Sequence, residues 1–352
     1  MTKDELLALA QVGGAVNDCT LVDLDLTGCD LTAMTFEHVI FQNCRFHQTR
    51  LSESTFLHCQ FNDLAPVEQC EIKECVWHES SLDGMEFLNC DFTQSIFQSC
   101  NATRTRYQSC VMQHVTFKES KLSAAQFEHC DVVHAVMFKS TLFETVFQHI
   151  HFDQFTFYAV DLKSTIFNET RFEKTVFLES ELTELDLSHH DLHMSQFIDC
   201  SMRQMQLDYA TITQCSFKGC DLQYSSFCYA QGTYALFPYT QLAHADFSHA
   251  HLESTIWVET KAQHASWQSA QLLQAVFHRA DLTDSRFKQA QLDAADFSYA
   301  ILLGVDFSAA QFQRTKFHAV MTDDPLIKKQ PHVLANDPAL FEAELWTQQY
   351  RD

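Results

Sequence analysis

The chain has 352 residues, 46 acidic against 23 basic side chains and a net charge of −23, with 31 Phe and 14 Cys but only 7 Gly and 5 Pro. At 46% hydrophobic residues it can bury a core, which excludes a disordered chain, and its acidity excludes direct binding of nucleic acid, where phosphate contacts need clustered Lys and Arg. No apolar run approaches the ~20 residues of a membrane helix, and Met1-Thr2-Lys3-Asp4-Glu5 is acidic where a signal peptide is basic, so a soluble cytoplasmic protein is expected.

In chain order, Thr2-Lys3-Asp4-Glu5 has the spacing of a capping box, and Leu6, Leu7, Leu9 and Ala10 follow it. This predicts a capping helix within residues 1–15 that stops near Gly13-Gly14. Residues 16–320 then repeat with a period of five. A first block sets Leu21, Leu26, Leu31, Phe36, Phe41, Phe46, Leu51, Phe56 and Phe61 in register. One extra residue near 62–67 shifts the frame, and Val67 opens the second block. From Ile72 to Phe317 every fifth residue is large and apolar except Ala102, Gly232 and Ala262. Two positions before each of these, most repeats hold Ala, Cys, Ser or Thr.

A period of five is neither the 3.6 of a helix nor the 2 of a strand. It suits a chain that turns a corner every five residues, with the large and small sites inward, three sites outward, and coils stacked about 4.8 Å apart. The small exceptions lie between large residues: Ala102 between Phe97 and Tyr107, Gly232 between Phe227 and Phe237, Ala262 between Trp257 and Trp267. Large flanking side chains on adjoining faces would keep the interior volume constant. Local bulges are expected where the small site holds Ile150, Phe155, Val160, Leu185 or His190.

Ala245-Asp246-Phe247-Ser248-His249, Ala280-Asp281-Leu282-Thr283-Asp284 and Ala295-Asp296-Phe297-Ser298-Tyr299 fit the motif A-[D/N]-[L/F]-x-x. On these repeats the sequence, over about residues 17–320, resembles the pentapeptide-repeat family. The resemblance implies an all-β fold, a right-handed quadrilateral β-helix with four pentapeptides per coil and short terminal capping helices. Residues 20 apart then stack, and about 15 coils make a rod of roughly 70 Å.

Residues 321–352 leave the repeat. Asp323-Asp324-Pro325 and Gln330-Pro331 read as loop, and Asp337-Pro338 as an N-cap followed by proline at the first helical position. Leu340, Phe341, Leu345, Trp346 and Tyr350 give that helix an apolar face. Two roles are open for it. A solenoid needs its end coil covered, and in the resembled family terminal helices also build homodimers.

Every Cys except Cys228 falls on the small inward site, so buried free thiols are expected. Cys70, Cys90, Cys110 and Cys130 stack within disulfide reach, but a straight ladder makes no tetrahedral metal site, and cytosolic thiols stay reduced. Most of the 19 His are outward. His38 and His58, His114 and His134, and His244 and His264 are each 20 apart, for which polar stacking is expected ahead of a shared transition metal. Among His189, His190 and His193, His190 is expected inward, buried and hydrogen-bonded. Nucleophile-elbow, Walker, zincin and dinucleotide motifs are absent from the sequence, so neither catalysis nor a cofactor is expected.

The remaining candidate is surface. Glu179, Glu181, Glu184, Asp186, Asp191 and Asp199 cluster within about one coil, offset by Lys174 and Arg203. They form either a solvated acidic face or a docking patch for a basic partner. Two functions follow. The first is a non-enzymatic protein-binding scaffold, for which the resemblance adds accessory or effector roles beside bacterial secretion systems, including type VI. The alternative, also implied by the resemblance, is an acidic mimic of duplex DNA that binds DNA gyrase or topoisomerase IV. Duplex DNA has one charge per ~1.7 Å, about 40 over ~70 Å, and the repeat region, with 38 acids against 19 bases, supplies a net −19, about half of that.

Overall fold

The computed structural model describes residues 1–325 and 327–349; Tyr350 lies outside them. The chain forms two units, Met1–Glu181 and Leu182–Asp352. Both are parallel β-solenoids of the pentapeptide-repeat kind.

The first unit opens with helix α1, Lys3–Ala10. Thr2 Oγ1 accepts from the Glu5 N–H at 3.3 Å, and the Glu5 carboxylate accepts from the Thr2 N–H at 2.7 Å, so the capping box closes. Gly13, at φ +60°, lets the chain leave the helix while the Gly14 N–H donates to the Leu9 carbonyl at 3.0 Å. Leu6 is fully buried, and so are Val16, Leu21, Leu26 and Leu31, the inward residues of the first coil.

Coils pair in parallel at 20-residue register, Val16 with Phe36 and Phe36 with Phe56. Across the extra residue the offset becomes 21, Phe56 with Trp77, and then returns to 20 with Trp77 and Phe97. The inward rings stack in columns. Phe36, Phe56, Trp77, Phe97 and Phe117 have successive centroid distances of 5.1, 4.0, 5.7 and 4.8 Å, each pair within 11° of parallel.

The expected bulges do not form. Ile150, Phe155, Val160 and Leu185 are buried, yet His151 pairs with Arg171, Thr156 with Val176 and Asp186 with Gln206 in unbroken register. A bulge adds a residue to one strand. Here each repeat keeps five, and the bulk is taken up sideways: the Phe155 ring packs 4.9 Å from Phe152 and 4.6 Å from Phe157. His190 also departs from expectation. It is half-buried rather than buried, with Nδ1 3.1 Å from the Ser188 carbonyl oxygen.

The small site selects more than size. Ser54 Oγ donates to the Leu31 carbonyl at 2.8 Å, Thr49 Oγ1 to Leu26 at 2.9 Å and Cys100 Sγ to Trp77 at 3.3 Å, each reaching 23 residues back. A hydroxyl or thiol is therefore tolerated in the core because the coil below offers an acceptor. All fourteen cysteines are free; Cys19 and Cys228 are half-buried and the others buried. Burial pushes the Cys59 thiol up to about 11 and those of Cys75 and Cys100 up to about 12.

In the second unit, Phe237, Trp257, Phe277 and Phe297 stack at 4.0, 5.5 and 4.9 Å. Trp257 and Trp267 meet edge to face at 5.5 Å on either side of Ala262, as the compensation argument expects. At Gly232 the space is taken from above and below instead. A Cβ there would lie 2.9 Å from Leu252 and 3.0 Å from Ile212, the residues stacked on it.

The last coil is continued on two faces, by pairing of Ile301 with Met321 and Thr315 with Val333. Helix α2, Pro338–Gln349, follows, with the Leu340 N–H donating to Asp337 Oδ1 at 3.0 Å. Its anchor is Glu344, which accepts from the Tyr299 hydroxyl and lies 3.1 Å from His318 Nε2; the Phe341 ring sits 6.0 Å from that of His318. Val305, Phe307, Ala310 and Phe312, inward residues of the last coil, stay half-exposed.

Two outcomes test this account. A buried thiol favours the folded state only while protonated, so its contribution is complete below the unfolded pKa near 9 and is lost as pH rises towards 11–12. Chemical-denaturation midpoints are expected to fall from pH 9 upward, and to fall less in Cys75→Ser. Gly232→Val is expected to cost about 1–3 kcal/mol by overpacking, read as a lowered Tm.

Candidate interaction surfaces

Asp is frequent just before the large inward residue, and the structure gives the reason. Asp25 Oδ1 accepts from the Thr27 N–H at 3.0 Å, Asp186 from Ser188 at 2.9 Å, Asp281 from Thr283 at 3.1 Å and Asp306 from Ser308 at 2.8 Å. Asp30, Asp91, Asp246 and Asp296 make the same contact two residues on. Each closes an Asx turn that helps the chain round the corner. Hydrogen bonds from Thr27, Thr32, Ser188 and Ser308 hold Asp25, Asp30, Asp186 and Asp306 below the usual carboxylate range. Part of the acidity is therefore built into the turns.

The six acidic candidates are divided between the units. In the first, Glu179 is an exposed corner residue and Glu181 is half-buried beside Asp161, with which it pairs across coils. In the second, Glu184, Asp186 and Asp199 are exposed and Asp191 is half-buried. Asp186 and Asp191 both serve turns, Asp191 accepting from the His193 N–H at 3.2 Å. Asp199 Oδ1 occupies the space over Gly219 where a Cβ would stand. In the helix, Leu340, Leu345 and Trp346 are exposed, and Phe341 is half-buried against the coils.

The outward corners form straight ladders. In the first unit His38 stacks on His58 at 4.8 Å, with Asp18 3.6 Å from His38 and Glu79 3.4 Å from His58. His129 stacks on His149 at 4.4 Å, and Glu169 lies 2.9 Å from His149. In the second unit His189, Tyr209, Tyr229 and His249 form a column at 4.9, 4.9 and 4.8 Å, with ring planes within 5°. Tyr224, His244 and His264 form another at 4.8 Å per step. The sequence reading paired the histidines but missed the tyrosines, although Tyr209 and Tyr229 show the same 20-residue spacing. Among the described residues no three His, Cys, Asp or Glu side chains group as metal ligands would.

The Asx turns set the acid limit of stability. Carboxyls whose folded pKa is depressed stabilise the fold above the unfolded value near 3.8, and that contribution is lost as pH falls through the folded values. Asp306→Asn, which keeps the acceptor and removes the charge, is expected to flatten the decline in Tm below pH 4. Asp306→Ala is expected to destabilise the fold at neutral pH by about 1 kcal/mol for the lost hydrogen bond, read as a lowered Tm.

The pattern of the pentapeptide repeat region matches residues 70–147 and 190–267, and that of pentapeptide repeats in eight copies matches 29–63, 258–292 and 290–320. No curated protein matches the sequence. Among solved structures, HetL, a pentapeptide repeat protein involved in heterocyst differentiation regulation from the cyanobacterium Nostoc sp. strain PCC 7120, is similar at 17% identity. The match covers 90% of this chain and 96% of HetL, with a TM-score of 0.28. Full-length QnrB1, a plasmid-mediated fluoroquinolone resistance protein, is similar at 14% identity over 96% of this chain and 100% of QnrB1, with a TM-score of 0.17. Five-residue register, inward pairs and matched repeats agree, and the chain belongs to the pentapeptide-repeat family.

Proposed function

We propose that this chain is a non-enzymatic protein-binding scaffold, a cytoplasmic adaptor of the pentapeptide-repeat type that serves as an accessory or effector of a type VI-like secretion system. The observation behind this reading is the ladder. Inward positions are spent on the core, while outward positions line up at fixed spacing with chemistry that differs from column to column. An ordered surface of this kind loses little entropy on binding. The acidic residues Glu179 and Glu181 in one unit, and Glu184, Asp186, Asp191 and Asp199 in the other, are offered to a basic partner. Leu340, Leu345 and Trp346 are offered to a second copy.

A second reading, an acidic DNA mimic directed at gyrase or topoisomerase IV, is favoured by the net charge of −23. Its weakness is that Asp186, Asp191 and other acids are committed to turns at sequence-fixed sites rather than spaced like phosphates.

One pair of measurements separates the two. The intact protein is titrated into a gyrase supercoiling assay at two salt concentrations, and is used as bait with host extract. Silence in the first, with capture of one stoichiometric partner that Glu184→Lys weakens, is the expected result. Salt-sensitive inhibition of gyrase would replace the scaffold reading with the mimic.

A further inference from the structure

On one face of the second unit the outward row is aliphatic. Leu236 pairs across coils with Ile256, and Ile256 with Val276, so three aliphatic side chains stand in line about 4.8 Å apart. Leu236 and Val276 are half-buried and Ile256 is 37% exposed. Tyr234 and Tyr239, at the corners on either side of Leu236, are 57% and 56% exposed, and Leu273, beyond the Gln274 corner from Val276, is 45% exposed. Such a strip is conspicuous on a chain with a net charge of −23. The row continues through Asp296 to Lys316, which pairs with Leu334. There it enters a cleft of about 670 Å³ lined by His278, Asp296, Lys316, His318, Leu334 and Leu340 of α2.

We propose that this strip is the docking face for an amphipathic helix of a partner protein, with its apolar stripe on Leu236, Ile256 and Val276 and basic residues on either side of that stripe. This rests on the scaffold reading and names the chemistry of one of its partners. Spacing supports a helix. Its turns rise about 5.4 Å, so residues i and i+7 are about 10.5 Å apart, close to the ~9.6 Å between the first and third rungs. Alternate residues of an extended strand fall about 6.7 Å apart and drift out of step with the rungs. Continuity supports it too, because α2 is a helix already seated on the rungs beyond, held by Tyr299 and His318. Charge then sets the sign. Glu253, across the Ser254 corner from Ile256, accepts from Thr233 Oγ1 at 3.3 Å, and Glu259, at the corner on the other side, lies 3.9 Å from Arg279 with its side chain 45% exposed; flanking Lys or Arg would lay their stems on the strip and compete with Arg279 for that carboxylate. The α2 of a second copy, which has Glu342 and Glu344, is the wrong sign for this rim.

The test uses the intact protein and a labelled synthetic amphipathic peptide with Leu at i, i+4, i+7 and i+11 and Lys beside that stripe, read by fluorescence anisotropy. Ile256 points outward, so Ile256→Asp should keep the wild-type Tm and weaken binding about tenfold or more, a change of at least ~1.4 kcal/mol. Ile166→Asp, at an outward Ile 46% exposed in the first unit, should leave binding unchanged. Glu253→Gln with Glu259→Gln should weaken binding and reduce its salt dependence. Equal binding by wild type and Ile256→Asp overturns the proposal. So does equal binding of a peptide interrupted by a central proline, which would mark an extended occupant, or tighter binding of a peptide with the α2 sequence, which would mark a second copy. Capture of a partner from host extract that Ile256→Asp does not disturb would refute this face and leave the scaffold reading standing.

Discussion

The structure depends on a corner turned every five residues with an ordinary amino acid in the left-handed region. His38 has φ +51°, Glu179 +47°, Tyr209 +60° and Arg279 +57°, and dozens of other residues share this conformation. A side chain there costs of order 1 kcal/mol, more if β-branched. Among the described residues no Val, Ile or Thr occupies such a position. What holds each corner is the next coil. The His38 N–H donates to the Leu57 carbonyl at 2.9 Å and the Tyr209 N–H to Cys228 at 2.9 Å, so the strained residue leaves no buried donor unpaired. This resolves two oddities of composition together. Seven glycines suffice because corners do not need them, and His is abundant because it tolerates this region better than most residues.

The five-residue register was legible because burial imposes it without exception over long stretches. The single extra residue near Asp63 was legible for the same reason: a shift of one would otherwise turn every inward ring outward. Capping at Thr2 and Asp337 followed from local hydrogen-bonding chemistry. The regular coil at Phe155 was not legible, because side-chain volume does not say what will lie beside it. Phe155 is absorbed by rings beside it, a neighbourhood that exists only once coils are stacked. Gly232 likewise answers to Ile212 and Leu252, each 20 residues away, rather than to its neighbours in sequence. The acidic cluster was the least legible feature. Six carboxylates adjacent in sequence looked alike, and only hydrogen bonding separates the turn-formers Asp186 and Asp191 from Glu184.

Chemistry in this fold is thus sorted by position before it is sorted by residue type. An Asp before the large inward residue is a turn, a Cys two places before that residue is a core methyl with a weak donor, and a His at the corner is backbone tolerance that happens to stack. What is left over after these structural duties is the informative part of the surface. The Tyr209–Tyr229 column and the aliphatic row at Ile256 survive that subtraction, since neither residue type is required by the turn or the core.

The unequal ends have a dynamic meaning. At the α1 end, Leu6 of the helix and the first coil's Val16, Leu21, Leu26 and Leu31 are all buried. In the other unit Phe307 and Phe312 remain half-open, while α2 is moored at the flank by Glu344. In a stack where each coil leans only on its neighbours, loss of order spreads from whichever face has least to lose. The second unit therefore has a built-in direction of unravelling, from Phe312 back towards Trp267, with amide exchange graded along the coils rather than uniform. The grip of Glu344 on Tyr299 decides how far that fraying runs before it meets the tryptophans.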